Sequence, residues 1–85
     1  MERNTLLIVD DVEMNREMLR YIFEDRFEIL EAGDGDTTLQ LMEEHGDRIA
    51  LLFLDIIMPG KSGLDVLEYM VEHKYIEYIP VIIIT

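Results

Sequence analysis

The stretch "IALLFLDIIMPGKSGLDVLEYM", residues 49–70, decides the fold because it contains two kinds of local pattern joined by a short loop. Residues 49–54 form a nearly continuous apolar run, which is typical of a strand covered on both faces in a parallel sheet. Residues 62–74 carry a helical pattern, with Ser62 as a candidate N-cap. The stretch therefore predicts a strand, a loop and a helix in that order.

Three further apolar runs predict three more strands. "TLLIV" (5–9) and "VIII" (81–84) are nearly continuous and are predicted to be buried. "FEILEA" (27–32) is interrupted by Glu28 and Glu31, which favours a place at the edge of the sheet.

Helical patterns separate these strands, at 12–26, 36–48 and 62–74. Apolar side chains recur in each at helical spacing, which predicts a stripe facing the core. The stripes are Met14, Met18 and Ile22 beside Leu19 and Phe23, then Leu39 and Met42, then Leu64, Leu67 and Val71. Gly46 is a plausible stop for the second helix, and the six methionines are interpreted as core filler.

The order β-α-β-α-β-α-β predicts an α/β fold in which right-handed βαβ units build a parallel sheet. With the most polar strand at an edge, the predicted spatial order is 2-1-3-4. Handedness then places the first helix on one face of the sheet and the other two helices on the opposite face.

Composition restricts the kind of protein. The chain has 85 residues, enough for one domain, and no cysteine, which excludes disulfides and thiolate metal sites. Its 19 acidic and 7 basic residues give a net charge of −12, which disfavours direct binding to nucleic acid. No run approaches the roughly 20 apolar residues of a membrane span, and the first apolar run is too short for a signal peptide. A cytoplasmic protein without membrane contact is expected.

Polar residues follow three strands that are neighbours in the predicted sheet. The first strand ends in Asp10 and Asp11, the third in Asp55 and the fourth in Thr85. Function in open α/β sheets gathers at the carboxyl ends of the strands, and adjacent strands are only about 4.8 Å apart. Three carboxylates and a hydroxyl are therefore predicted to share one pocket.

Carboxylates this close repel one another, so the pocket calls for a compensating charge. A hard divalent cation with oxygen ligands, Mg²⁺, is the natural candidate. A carboxylate beside such a cation is also a possible nucleophile toward phosphorus, giving an aspartyl phosphate. In the loop "DIIMPGKSG" (55–63), Pro59 and Gly60 fix a turn. A stiff loop of this kind is predicted to aim the Ile57 carbonyl at the cation.

Three stretches together resemble the receiver domain of two-component response regulators: "LLIVDD" (6–11), "LLFLDIIMPGKSG" (51–63) and "PVIIIT" (80–85). The resemblance covers the whole chain. It implies a flavodoxin-like (CheY-like) three-layer sandwich. It also implies signalling by phosphoryl transfer from a histidine kinase or phosphotransfer protein, with no enzymatic activity beyond self-catalysed phosphotransfer and autodephosphorylation.

The same resemblance implies a role for each matching position. Asp55 matches the phosphoacceptor, and Thr85 matches the switch hydroxyl that turns toward the phosphoryl group. Asp10 and Asp11 match the acidic pair that holds Mg²⁺ together with Asp55, and Ile57 matches the position that offers its backbone carbonyl to the metal.

One part of the family pattern is missing from this sequence. Family receivers continue with a fifth strand, two more helices and a lysine that pairs with the phosphoryl group, and neither Lys61 nor Lys74 is placed to replace that lysine. Residues 1–85 are therefore expected to be the N-terminal two-thirds of a receiver. The fourth strand and one sheet face are then expected to be open, which favours self-association.

Three other functions are compatible with parts of the pattern. The first is a receiver-fold interaction module that is not phosphorylated. The second is a Mg²⁺-dependent phosphohydrolase with an aspartyl nucleophile, but such enzymes commonly carry an acid where Ile57 stands. The third is a flavodoxin, for which "DDVEMN" (10–15) would repel the phosphate of the cofactor.

Overall fold

The structure, a computed structural model, describes residues 3–84. Its elements are β1 (Thr5–Val9), α1 (Glu13–Phe23), β2 (Glu28–Ala32), α2 (Gly35–His45), β3 (Ile49–Asp55), α3 (Gly63–Glu72), a 3-10 turn (Tyr75–Glu77) and β4 (Val81–Ile84). The predicted alternation is confirmed, although every helix ends two or three residues earlier than predicted. Within the described range, no helix combines the length and the apolar character that crossing a bilayer requires.

The four strands form one parallel sheet in the order β2-β1-β3-β4, which confirms the predicted order. Val9 at the end of β1 pairs with Ala32 on one side and with Leu54 on the other. Asp55 at the end of β3 pairs with Ile84 of β4. The carboxyl ends of the three strands β1, β3 and β4 therefore lie side by side.

The alignment of β1 with β3 depends on one irregularity. Thr5 pairs with Ile49, but the next residue, Leu6, pairs with Leu51, so Ala50 is an extra residue in β3. Such a bulge offsets one strand by one residue relative to its neighbour. From this point the pairing of the two strands is regular up to their carboxyl ends.

The helices cover the two faces of the sheet as predicted. Helices α2 and α3 enclose the larger buried cluster, which contains Leu7, Val9, Ala32, Met42, Ile49, Leu52, Leu54, Met58, Val66, Met70 and Ile79. Helix α1 covers a smaller cluster of Leu6, Ile8 and Phe53. The rings of Phe23 and Phe53 lie 5.4 Å apart, so an aromatic contact joins α1 to β3.

The predicted core stripe of α1 is wrong for Met14, Met18 and Ile22 and confirmed for Leu19 and Phe23. Met14, Met18 and Ile22 are 68%, 59% and 57% exposed, whereas Leu19 and Phe23 pack against the sheet. Successive residues of a helix point about 100° apart, so both stripes are apolar faces of one helix. The face that carries Leu19 and the ring of Phe23 packs against the sheet.

Helix α3 shows the same kind of correction. Leu64 and Val71 of the predicted stripe are exposed and Leu67 is only partly buried, whereas Gly63, Val66 and Met70 are buried. A face that begins with glycine lets the helix approach the sheet more closely than a face of leucines would. The capping box of Ser62 confirms the predicted N-cap.

The interpretation of the methionines as core filler is confirmed only on one side of the sheet. Met42, Met58 and Met70 are buried, whereas Met14 and Met18 are exposed on α1. Met1 lies outside the described residues.

The expectation of an uncovered sheet face holds for β4 but is wrong for the centre of β3. Phe53 is only 8% exposed because α1 covers it, whereas Ile82 and Ile83 are 44% and 41% exposed on opposite faces of β4. The open apolar surface of the sheet is therefore concentrated on its last strand.

The N-terminus of α2 is held by a carboxylate. Asp34 Oδ1 accepts a hydrogen bond from the Thr37 N–H at 2.7 Å, and Oδ2 accepts one from the Thr37 hydroxyl at 3.1 Å. Both bonds favour the ionised form, and they hold the pKa of Asp34 below its ordinary value. The cap is therefore strongest when Asp34 is charged.

We expect Asp34→Ala to lower the free energy of unfolding by about 1 kcal/mol at neutral pH. A depressed folded-state pKa gives stability that is present above the ordinary carboxyl pKa and lost as the pH falls through the folded-state pKa. The difference from wild type should therefore shrink in acid, as measured by urea unfolding at neutral pH and near pH 3. Gln40→Ala, at an exposed position of the same helix, is the control; a difference that does not change with pH would contradict the expectation.

Candidate functional site

Three carboxylates converge at the carboxyl end of the sheet. Val9 and Leu54 pair across β1 and β3, so the residues that follow them, Asp10 and Asp55, lie next to each other. One carboxylate oxygen each from Asp10, Asp11 and Asp55 lies within 4.8 Å of the other two. The structure thus brings together the three acids that the sequence places at strand ends.

Asp10 is the buried member of this acid cluster, at 4% exposed. Its Oδ1 accepts a hydrogen bond from the Val12 N–H at 2.9 Å, and its Oδ2 accepts one from Asn15 Nδ2 at 3.2 Å. Its own N–H donates to the Ala32 carbonyl of β2 at 3.1 Å. Asp10 is therefore fixed through both its side chain and its main chain, whereas Asp11 is exposed.

Asp55 is held less firmly and is electrostatically strained. Its Oδ1 accepts a hydrogen bond from the Ile57 N–H at 3.0 Å. Desolvation is the largest effect on this carboxyl and raises its pKa, the Ile57 N–H opposes the rise, and the negative charges of Asp10 and Asp11 add to it. The net effect is a pKa of Asp55 above its ordinary value, caused first by desolvation and further by the two neighbouring carboxylates.

The loop after Asp55 is anchored at two points. Met58 is buried, whereas the side chain of Ile57 is 77% exposed. The Gly63 N–H donates to the Ile56 carbonyl at 3.1 Å, which folds the start of α3 back onto the end of β3. Gly60 has a φ of 72°, a conformation that favours glycine and closes the turn. The role of the Ile57 carbonyl as a metal ligand stays a prediction.

Three further residues named in the sequence analysis are Thr85, Lys61 and Lys74. Thr85 lies outside the described residues, so its role as a switch hydroxyl stays a prediction. Lys61 Nζ lies 3.6 Å from Asp36 Oδ1, at the start of α2, and Lys74 follows the end of α3 with a φ of 65°. That neither lysine serves the site stays a prediction.

Sequence reasoning missed two residues of α1 beside the acids. Asn15 contacts the Asp10 carboxylate, and Arg16 Nη1 donates to the Asp10 main-chain carbonyl at 2.7 Å. The only signal in the sequence is that both polar residues fall in the first turn of the helix that follows β1. Spacing does not reveal such contacts because the side chains reach backward to the preceding strand end.

An apolar groove adjoins the acid cluster on the α1 face of the sheet. It has a volume of about 310 Å³ and is lined by Asp10, Val12, Asn15, Met18, Leu19, Ile22, Asp55 and Ile84. Asp10 and Asp55 of the cluster line this groove together with residues of α1 and Ile84 of β4. Apolar side chains of the groove therefore lie on one side of Asp55, which is consistent with the desolvation of its carboxyl group.

The residues of the cluster fit a hard divalent cation. All three side chains offer carboxylate oxygens, which are the ligands that Mg²⁺ takes in proteins. Desolvation contributes most to the raised pKa of Asp55, and the charges of Asp10 and Asp11 add a smaller part, the like-charge repulsion that such a cation would relieve. The open side, where Asp11 is exposed, leaves room for the waters that Mg²⁺ keeps.

A parallel sheet in this order, with three helices around it, defines a CheY-like flavodoxin fold. The family model of the response regulator receiver domain matches residues 6–85. The chain belongs to this family.

Relatives and solved structures agree with this assignment. The transcriptional regulatory protein CpxR of Escherichia coli (strain K12) is 35% identical over 83 residues, which are 96% of this chain and 33% of CpxR. The response regulator DivK of Brucella anthropi is 33% identical over 95% of this chain and 65% of DivK. The response regulator TrrA of Thermotoga maritima, solved in complex with Mg²⁺-BeF, has a TM-score of 0.80 and 32% identity, covering 94% of this chain and 67% of TrrA. The chain thus spans a third of CpxR and about two thirds of DivK and TrrA.

Gly63 provides a test of how tightly the loop is built. A Cβ atom at Gly63 would lie 2.5 Å from the Asp55 carbonyl oxygen and 2.6 Å from Ile56 Cα, and both neighbours are backbone atoms. We expect Gly63→Ala to lower the free energy of unfolding by about 1–3 kcal/mol, the typical cost of overpacking. The measurement is chemical denaturation.

Leu64→Ala, one residue further on and exposed, is the matched control and should change stability by less than about 0.5 kcal/mol. An unconstrained glycine in a helix would give the opposite sign, since alanine is favoured there by about 0.5–1 kcal/mol. A Gly63→Ala variant more stable than wild type would contradict the geometry.

Proposed function

We propose that this receiver domain accepts a phosphoryl group on Asp55 from the phosphohistidine of a histidine kinase or phosphotransfer protein, as one step of two-component signal transduction. The observation that carries the proposal is the convergence of three carboxylates at the aligned ends of β1 and β3, with a raised pKa for Asp55. A carboxyl with a raised pKa in such a cluster is a candidate functional group.

Asp10, Asp11 and Asp55 would hold Mg²⁺ through their carboxylates, with the Ile57 carbonyl as a further ligand. When bound, the ion supplies positive charge that offsets the negative charge on the phosphoryl oxygens. The Mg²⁺-BeF complex of the similar protein TrrA supports this part of the proposal.

The chain's own residues orient the nucleophile. The Ile57 N–H donates a hydrogen bond to Asp55 Oδ1 at 3.0 Å. Because Oδ1 is engaged in this bond, we assign the attack on phosphorus to Oδ2. A bond forms between Oδ2 and phosphorus as the bond between phosphorus and the donor imidazole nitrogen breaks, which gives an acyl phosphate. Water later attacks the phosphorus, releases inorganic phosphate and restores the carboxylate. The Thr85 hydroxyl is proposed to bond a phosphoryl oxygen in the phosphorylated state.

The remaining assignments follow from the same proposal. Residues 1–85 are taken as the N-terminal two-thirds of a receiver domain, in keeping with the 67% coverage of TrrA. The domain is proposed to act in the cytoplasm as a phosphoacceptor, with no enzymatic activity beyond self-catalysed phosphotransfer and autodephosphorylation. The net charge of −12 supports a domain that does not bind nucleic acid directly.

We expect a phosphoryl adduct on the chain after incubation with Mg²⁺ and a small acyl-phosphate donor, detected by intact mass spectrometry. The adduct should be absent in Asp55→Asn, which lacks the nucleophilic oxygen, and absent when EDTA replaces Mg²⁺. Asp47→Asn, which removes an exposed carboxylate outside the acid cluster, should be modified like wild type. Equal adduct on the Asp55→Asn variant would refute Asp55 as the acceptor.

Self-association through β4 is a second part of the proposal. In the described residues β4 pairs with β3 alone, so its other edge presents unpaired backbone groups. Ile82 and Ile83 add apolar area on both faces of the same strand. An exposed edge strand with apolar side chains is a template for pairing with a second chain.

We expect wild-type protein to elute as a dimer or larger species in size-exclusion chromatography with light scattering. Ile82→Lys should shift it toward monomer, because a charge on an edge strand opposes pairing. Val71→Lys places the same charge at an exposed apolar position of α3 and should leave the mass unchanged. A wild-type protein that stays monomeric at all concentrations would sink this part of the proposal.

A further inference from the structure

Arg16 is a largely buried cation that joins three elements near the acid cluster. Its side chain is 18% exposed. Nη1 donates to the main-chain carbonyl of Asp10 at 2.7 Å, and Nε donates to Glu31 Oε1 of β2 at 3.2 Å. A single guanidinium therefore links α1, the end of β1 and the edge strand β2.

Gly33, which has no side chain, leaves space for this guanidinium. A Cβ atom at Gly33, just after β2, would lie only 3.3 Å from Arg16 Nη1 and 4.0 Å from the Asp10 carbonyl oxygen. A side chain at this position would press on the guanidinium where it meets Asp10. Glu31 also pairs with Arg20 at 3.2 Å, through Oε2, the carboxylate oxygen that Arg16 does not contact.

We propose that Arg16 is a positioning residue for the acid cluster: it fixes the main chain of Asp10 against β2 and thereby raises the affinity of the cluster for Mg²⁺. The inference rests on the proposed function. Its physical basis is that residues which hold metal ligands in place commonly change metal affinity by about 10–100-fold when removed. The planar guanidinium suits this role because it donates in two fixed directions at once.

The sign of the effect separates positioning from charge. A cation beside an acidic site repels Mg²⁺, so removing Arg16 should tighten Mg²⁺ binding if only its charge mattered. If Arg16 positions Asp10, its removal should weaken binding despite the loss of repulsion. The two explanations therefore predict opposite changes in the dissociation constant.

The experiment measures Mg²⁺ binding to the whole chain by isothermal titration calorimetry for Arg16→Met and Arg20→Met. Both variants lose one positive charge and one contact to Glu31, but only Arg16 contacts Asp10. Arg16→Met should bind Mg²⁺ about 10-fold or more weakly than wild type. Arg20→Met should bind as wild type does or slightly more tightly.

Equal or tighter binding by Arg16→Met would overturn the inference, as would equal weakening by both variants. Arg16→Lys keeps the charge, so it serves as a second variant if Arg16→Met does not fold. Its ammonium is a point charge without the planar fork, and weaker Mg²⁺ binding than wild type is again expected. Wild-type affinity in Arg16→Lys would overturn the inference.

Hydrogen exchange of the metal-free protein gives an independent readout. The Val12 amide, which donates to Asp10 Oδ1, should exchange faster in Arg16→Met, whereas the core amide of Leu54 should not change. Unchanged exchange at Val12 would overturn the positioning role. If wild type binds no Mg²⁺ but Val12 responds to Arg16→Met, then the proposed function fails and the link between Arg16 and Asp10 stands.

Discussion

The register between β1 and β3 is the constraint on which the rest of the structure depends. Val9 faces Leu54 across the two strands, and so the acids that follow them are side by side and point to the same face of the sheet. The extra residue in β3, Ala50, sets this alignment. A shift by one residue would turn one of the two acids to the opposite face of the sheet, and the acid cluster would not form.

Much of the fold could be predicted from the sequence because burial in a parallel sheet leaves a strong pattern of apolar runs. The rotation of α1 and α3 could not be predicted, since each helix has two adjacent apolar stripes. Leu19 and Phe23 of α1 pack against the sheet, and the face of α3 that begins with Gly63 is the buried one. Close approach and ring packing decide between stripes, and neither is visible in hydropathy alone.

The acids of the candidate site could be predicted because their positions follow from strand order and strand ends. The side chains that hold the acids in place could not. Arg16 acts on a main-chain carbonyl, and Asn15 reaches back from the helix to the strand end, so neither contact has a signature in the spacing of the sequence. Predicting them would require the rotation of α1, which is the part of the fold that the sequence leaves open.

Helix α1 is joined to the sheet by the smaller of the two buried clusters, and none of its own residues is fully buried. Its N-cap, Val12, offers no side-chain oxygen to the free N–H groups of the first turn. Segments with few buried contacts are the first to open in local unfolding. The same helix carries the side chains that steady Asp10, so each transient detachment of α1 would also release the acid cluster. The lifetime of the ordered arrangement of the three acids is thereby tied to the opening rate of one helix.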